Sequence, residues 1–306
     1  METQEKKSVK PTRLKPGDIV GIVAPAGPFD PEKLMKGTAV LESMGFRTVF
    51  DETIFQKRGF LAGTDVQRAD QVNRLFADST VQAVACARGG YGSMRILRFL
   101  DFATIQKNPK IFVGFSDISV LLSVLHDRCD LVTFHGPVVT TLADADQETI
   151  AAMRWALTSD TPMELAPENG MVVRPGLASG PVTGGNLTTL CHLVGTPYAP
   201  SFKGKILLLE DLGEAPYRID RMLTQMKLAG CFNGIAGLIL GSFKECGHLS
   251  EIYALVGDFF EDMDIPVMAG FEIGHGRRNL MIPLGLGATL DTEKKRLLFH
   301  EPAVRV

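Results

Sequence analysis

Ile111-Phe112-Val113-Gly114-Phe115-Ser116-Asp117-Ile118 reads as a short buried strand that turns at once into a helix. The apolar run continues from Ile118 to Leu125. A strand-to-helix turn at a sheet edge lifts its turn residue into the crevice, beside the free N–H groups of the first helical turn. Ser116 at that place has two readings. Its hydroxyl can be a nucleophile, or it can do no more than cap the helix, as Ser before an apolar run commonly does.

Outward from this turn, apolar strands alternate with amphipathic helices. Asp18 to Ala24, Phe46 to Phe50 and Gln82 to Cys86 read as strands preceding Ile111 to Val113. Between them, Asp30-Pro31 opens a helix with Leu34, Thr38, Leu41 and Met44 on one face, ending at Gly45. Thr64 and Gln67 have capping-box spacing ahead of Val66, Ala69, Val72 and Phe76, all expected inward. A further helix is expected over Gly92 to Leu100. This alternation predicts an α/β fold with a mostly parallel sheet covered on both faces. The pattern loosens after Thr133-Phe134-His135-Gly136-Pro137. A helix follows over Gln147 to Leu157, and residues 159–180 are rich in Pro and Gly and contain short strand-like pieces such as Met171 to Arg174. In the second half, strands are expected at Lys205 to Leu209, Ile235 to Gly241 and Pro266 to Ala269, with a closing hairpin from Leu286 to His300. The expected organisation is a tail over residues 1–14, an N-terminal nucleophile domain over 15–145, a linker region over 146–178 and a C-terminal domain over 179–306.

The chain has 306 residues, 45% hydrophobic, with a formal net charge of −3. That length carries one large core or two medium ones, and the charge balance argues against a nucleic-acid partner. Five cysteines without CxxC spacing suit free thiols in a reducing compartment. No apolar run has the length of a membrane span, and Met1 to Lys10 lacks the apolar core of a signal peptide. A cytoplasmic protein is expected, with no membrane partner.

The loop Arg88-Gly89-Gly90-Tyr91-Gly92-Ser93 directly follows the third strand. It can cradle a phosphate with backbone amides, serve as an oxyanion hole, or merely turn tightly. It lacks the order of a dinucleotide or P-loop fingerprint. If the third and fourth strands are neighbours, the amides of Gly90 and Asp117 face one point beside Ser116. A nucleophilic serine needs a base. Of six histidines, His275 is the leading candidate, because Gly274 and Gly276 flank it in a loop after an apolar strand; His135 is the next. His126 is expected to be a surface or helix-terminal charge, and His192 to be packed. An orienting carboxylate is offered by Glu210 at the end of Leu207-Leu208-Leu209, with Asp211 as its competitor. No metal site is indicated: HExxH, paired cysteines and ligand-spaced clusters are all missing. The second glycine of a G-x-S-x-G elbow is also missing, which argues against an α/β-hydrolase.

Taken together, Gly59 to Asp65, Arg88 to Ser93, Val113 to Asp117, Thr133 to Pro137, Gly184 to Leu187, Leu209 to Asp211 with Tyr217 to Arg221, and Gly274 to Gly276 resemble the LD-carboxypeptidase family of serine peptidases, which includes the microcin C immunity peptidases. The resemblance implies a flavodoxin-like N-terminal domain, related to class I glutamine amidotransferases, and a smaller β-rich α/β C-terminal domain. It implies Ser116 as nucleophile, His275 as general base and Glu210 as orienting acid, with the amides of Gly90 and Asp117 as the oxyanion hole and no cofactor. It also implies a homodimer that releases the terminal D-alanine of cytoplasmic murein tetrapeptides in peptidoglycan recycling. Hydrolysis of microcin-like peptidyl-nucleotide antibiotics is the alternative within the family. A non-catalytic ligand-binding α/β protein using the Arg88 loop is the alternative outside it. Position alone makes Arg88, with Arg277 or Arg278 behind it, the candidate for gripping a substrate carboxylate.

Overall fold

The computed structural model describes residues 8–306. Its fourteen strands among those residues are β1 (Ile19–Val23), β2 (Arg47–Phe50), β3 (Val81–Cys86), β4 (Ile111–Gly114), β5 (Thr133–His135), β6 (Glu164–Leu165), β7 (Met171–Arg174), β8 (Leu177–Asn186), β9 (Ile206–Leu212), β10 (Gly237–Lys244), β11 (Val267–Ala269), β12 (Ile282–Leu284), β13 (Gly287–Asp291) and β14 (Arg296–Phe299). They form two sheets. The first has the order β12-β5-β4-β3-β1-β2. All its pairs are parallel except β12 against β5. Setting β12 aside, this is the flavodoxin-like order. The second sheet has the order β6-β14-β13-β8-β9-β10-β11-β7, parallel from β8 to β11 and antiparallel outside.

Local chemistry explains the elements. Asp30 accepts a hydrogen bond from the Glu32 amide at 2.9 Å, with Pro31 at the first helical position of Pro31–Ser43. Thr64 and Gln67 close a reciprocal capping box on the helix Asp65–Ala77. Strand β4 is buried along its whole length, so it reads as an unbroken apolar run rather than an alternating one. One apolar core joins the first sheet to residues of the second, and a separate core packs the helices Pro216–Leu228 and Leu249–Phe259 on β9, β10 and β11.

Several local expectations need correction. Val66 is 58% exposed, because Arg68 takes the inward place on that helical turn and bonds the carbonyls of Pro25 and Gly92. The expected helix over Gly92 to Leu100 is two short turns, Ser93–Ile96 and Leu97–Phe99. The end of the expected tail is packed: Leu14 is buried and its amide donates to the Leu157 carbonyl, while Val9 bridges Leu131. Residues 1–7 lie outside the described residues. Within the linker region the expected helix and the strand-like piece at Met171–Arg174 are both present, and both are packed against the cores. The helix Gln147–Thr158 packs into the first core through Met153, Ala156 and Leu157, and β6 and β7 form the two edges of the second sheet. In return, β12 crosses back to extend the first sheet.

Candidate active site

Strands β3 and β4 are neighbours in parallel register, so the loops at their carboxyl ends open on one crevice. Ser116 begins the 3₁₀ turn Ser116–Ile118 that leads into the helix Ser119–Cys129. Its φ is 63°, the left-handed region, which costs a residue bearing a Cβ about 1–2 kcal/mol. No side chain caps this turn; Phe115 stands at the cap position. The capping reading of Ser116 is therefore wrong. Strain of this kind persists only where surrounding structure imposes it. Here the Asp117 carboxylate accepts from the Ser93 amide at 2.8 Å, and the Ser93 hydroxyl donates to the Asp117 carbonyl at 2.6 Å. These two bonds tie the serine turn to the Gly89-Gly90 loop. That loop approaches so closely that a Cβ on Gly89 would stand 3.0 Å from Ser116 Cβ and 3.3 Å from its Oγ. The first amide of the 3₁₀ turn to find an acceptor inside it is that of Ile118, on Phe115 O at 3.2 Å. The Asp117 amide precedes it and, as at any helix start, has no acceptor within the turn.

Glu210 and Asp211 are adjacent on β9, so their side chains leave opposite faces of the sheet. Asp211 accepts from Asn186 Nδ2 at 2.9 Å, and from the Thr188 amide and hydroxyl at 2.9 and 2.8 Å. Burial, and the neighbouring Glu210, push its carboxyl above the usual range, while the Leu212 amide and the Thr188 hydroxyl and amide pull it back. It is a structural anchor for the start of the helix Leu187–Leu193. Glu210 is fully buried, and its Oε2 lies 2.6 Å from His275 Nδ1 and accepts from the His275 amide at 3.2 Å. Against a carboxylate, Nδ1 carries the proton, which leaves Nε2 as the free base. Gly274 permits this contact: its φ is +99°, and a Cβ there would overlap the Glu210 carboxylate. Asn279 Oδ1 receives the Gly274 amide at 2.9 Å, fixing the loop from its far side.

Ser116, Gly90 and His275 all line one cavity of about 580 Å³, with Arg88, Lys244 and Arg277 among the residues around them. Ser116 and His275 thus come from different sheets to a common space; among the described residues no hydrogen bond yet joins them. Such contacts are often longer without substrate. Phe115 packs against the imidazole with ring centroids 4.8 Å apart. Arg88 donates to the Pro28 carbonyl and is exposed beside the cavity. Arg277 is exposed there too. Arg278 is not available to a substrate, since Asp146, Glu148 and Glu168 hold it at 3.2, 3.3 and 2.6 Å.

The other histidines separate clearly. His192 is exposed, not packed, on the outer face of its helix. His126 is half-buried rather than a surface charge, with Nδ1 3.1 Å from the Leu131 carbonyl, and burial lowers its pKa. His135 is fully buried behind Phe115 with its Nε2 4.0 Å from Glu210 Oε1. Sequence reasoning missed Lys244 and the structural role of the Asp117 carboxylate. Lys244 closes an apolar strand just as Glu210 nearly does, and the same strand-end logic points to it.

Residues 20–136 match the LD-carboxypeptidase N-terminal domain, and residues 179–290 the LD-carboxypeptidase C-terminal domain. A probable murein peptide carboxypeptidase of Bacillus subtilis (strain 168) is 38% identical, over 94% of this chain and 92% of its own length. Among solved structures, an MccF-like protein from Bacillus anthracis superposes with a TM-score of 0.90 at 26% identity, over 95% of this chain and 99% of that one. A muramoyltetrapeptide carboxypeptidase from Oxalobacter formigenes has a TM-score of 0.82 at 30% identity, over 92% and 97%.

Proposed function

The chain belongs to the LD-carboxypeptidase family, and we propose that it is a serine carboxypeptidase releasing the terminal D-alanine from cytoplasmic murein tetrapeptides in peptidoglycan recycling. The observation that carries this reading is that Ser116 and a carboxylate-bound imidazole line one cavity.

Ser116 Oγ attacks the carbonyl carbon of the L–D amide while His275 Nε2 takes its proton. The oxyanion of the tetrahedral intermediate lies between the amides of Gly90 and Asp117. His275 returns the proton to the D-alanine nitrogen, the C–N bond breaks, and an acyl-enzyme remains. Water, deprotonated by the same nitrogen, then hydrolyses the ester and frees Ser116. Glu210 holds the tautomer and stabilises the imidazolium. The free α-carboxylate of D-alanine, which distinguishes a carboxypeptidase substrate, is met by Arg88 with Arg277 beside it.

The family also contains MccF-type immunity proteins. Among the described residues lining this cavity Phe115 is the one Phe, Tyr or Trp, and it is packed on His275 rather than open to stack on a nucleobase. The murein reading is accordingly preferred. Incubation with murein tetrapeptide and mass detection of D-alanine tests it. Release by wild type and none by Ser116→Ala is expected. Release that survives Ser116→Ala refutes the mechanism. An intact tetrapeptide alongside cleavage of an aminoacyl-nucleotide refutes the substrate.

A further inference from the structure

Two buried polar atoms face each other behind the imidazole. Glu210 spends Oε2 on His275, and its Oε1 is buried without a hydrogen-bond partner. His135 is buried to 0% exposure, and among the described residues neither of its ring nitrogens has a hydrogen-bond partner of normal geometry, its own backbone being the nearest favourable contact. The Nε2 of His135 stands 4.0 Å from Glu210 Oε1. That is about an ångström beyond a normal N–H···O contact, and it lies between two atoms that each lack a hydrogen-bond partner.

The backbone holds this pairing on purpose-built ground. His135 ends β5 in the first sheet, in register with Gly114 of β4, and the following amide, Gly136, donates to the Gly114 carbonyl at 3.0 Å. Glu210 lies on β9 of the second sheet, opposite Asn186 of β8. Between them Gly185 leaves room: a Cβ there would stand 3.3 Å from His135 Cδ2. A buried imidazole and a buried carboxylate oxygen without partners are more costly than an apolar pair of the same shape. Burial first, and then the unfavourable proximity of the His275 imidazole to a second positive charge, lower the His135 pKa to about 3. His135 is therefore neutral and forms no ion pair with Glu210. The other acid beside the pair, Asp211, is committed to Asn186 and Thr188.

We propose that His135 is a positioning residue for the relay: its neutral ring presents Nε2–H to Glu210 Oε1, which keeps Oε2 on His275 Nδ1 while His275 takes and returns the proton. This inference rests on the roles proposed above for Glu210 and His275. A carboxylate gripped at one oxygen only can swing about its terminal torsion, which is soft. A donor on the second oxygen removes that freedom, and it comes from the domain that carries Ser116. The geometry of the relay thus depends on how the two sheets meet.

The test begins with the wild-type chain carrying ¹⁵N-labelled histidine. At neutral pH the NMR couplings of His135 are expected to report the neutral Nε2–H tautomer. An Nδ1–H tautomer or an imidazolium overturns the proposal whether or not the tetrapeptide is a substrate. Turnover is then compared in His135→Phe, which removes both nitrogens, and His135→Gln, which keeps a donor. His135→Phe is expected to lower kcat about ten- to a hundredfold, the worth of one hydrogen bond to a charged group, with KM changed less than about twofold. His135→Gln is expected to recover most of it. Equal loss in both variants, or a loss confined to KM, overturns the proposal. If wild type releases no D-alanine, the proposed activity fails alone and the tautomer still decides this inference.

Discussion

Gly89→Ala is the sharpest probe of the serine turn. The added Cβ would stand 3.0 Å from Ser116 Cβ, 3.3 Å from Ser116 Oγ and 3.3 Å from the Phe115 carbonyl. Gly89 is not in the left-handed region, so the substitution adds crowding without backbone strain. Relief requires a shift of a few tenths of an ångström, shared between the Ser116 turn and the Gly89-Gly90 loop. The stability cost of such overpacking is about 1 kcal/mol, at the low end for a buried site. The catalytic cost is larger, because a 1 Å misplacement in an attack geometry loses about a hundredfold. Displacing the proposed nucleophile and the proposed oxyanion donor together is expected to lower kcat about ten- to a hundredfold. The assay is steady-state D-alanine release, with the melting temperature measured on the same preparation. Gly237→Ala is the control, since its Cβ would meet its three nearest atoms at an ordinary 3.4 Å. A folded Gly89→Ala enzyme with wild-type kcat refutes the placement of this loop in the chemistry.

Glu210→Gln keeps the shape but reverses the preferred histidine tautomer, and kcat is expected to fall about 10⁴-fold with the fold retained; a loss under tenfold in D-alanine release counts against the relay. Arg88→Lys is expected to raise KM for the tetrapeptide far more than for the same peptide amidated at its terminus, because a bidentate grip is lost; equal effects on the two substrates exclude Arg88 from carboxylate recognition. Stability should fall in acid through His135. Its folded pKa, about 3, lies below the unfolded value of 6.5, so between these values the unfolded chain binds a proton that the native chain does not. Stability therefore rises with pH across that window and declines as pH drops from 6.5 toward 3, by about 1 kcal/mol per pH unit. Urea unfolding of wild type and His135→Phe over that range is expected to differ in slope by one proton, and parallel slopes refute a buried neutral His135.

The alternation of apolar strands with capped helices was legible because each signal is local. The Asp30-Pro31 start, the Thr64–Gln67 box and the buried run at β4 all depend on residues within a few positions of one another. Legible too were Ser116, Glu210 and His275 as candidates, each marked by its place at a strand end or between glycines. What failed were judgments about neighbours distant in sequence. Arg68 displaced Val66 from the core because acceptors at Pro25 and Gly92 were waiting for it. In the Pro- and Gly-rich stretch 159–180, β6 and β7 are held in place because β14 and β11 provide edges for them.

Local pattern left Glu210 and Asp211 open, the family resemblance implied Glu210, and the contact with His275 is a tertiary one. Strand geometry sends adjacent side chains to opposite faces, but only the packing of two sheets decides which face meets His275. Alone, the chain determined an α/β architecture and a serine at a strand-to-helix turn, since both follow from short-range steric and hydrogen-bonding preferences. The tertiary structure brought Glu210 Oε2 within 2.6 Å of His275 Nδ1 and set His135 behind it. These contacts join residues 65 and 75 positions apart, and their geometry is set by the burial of two sheets against each other rather than by any local rule.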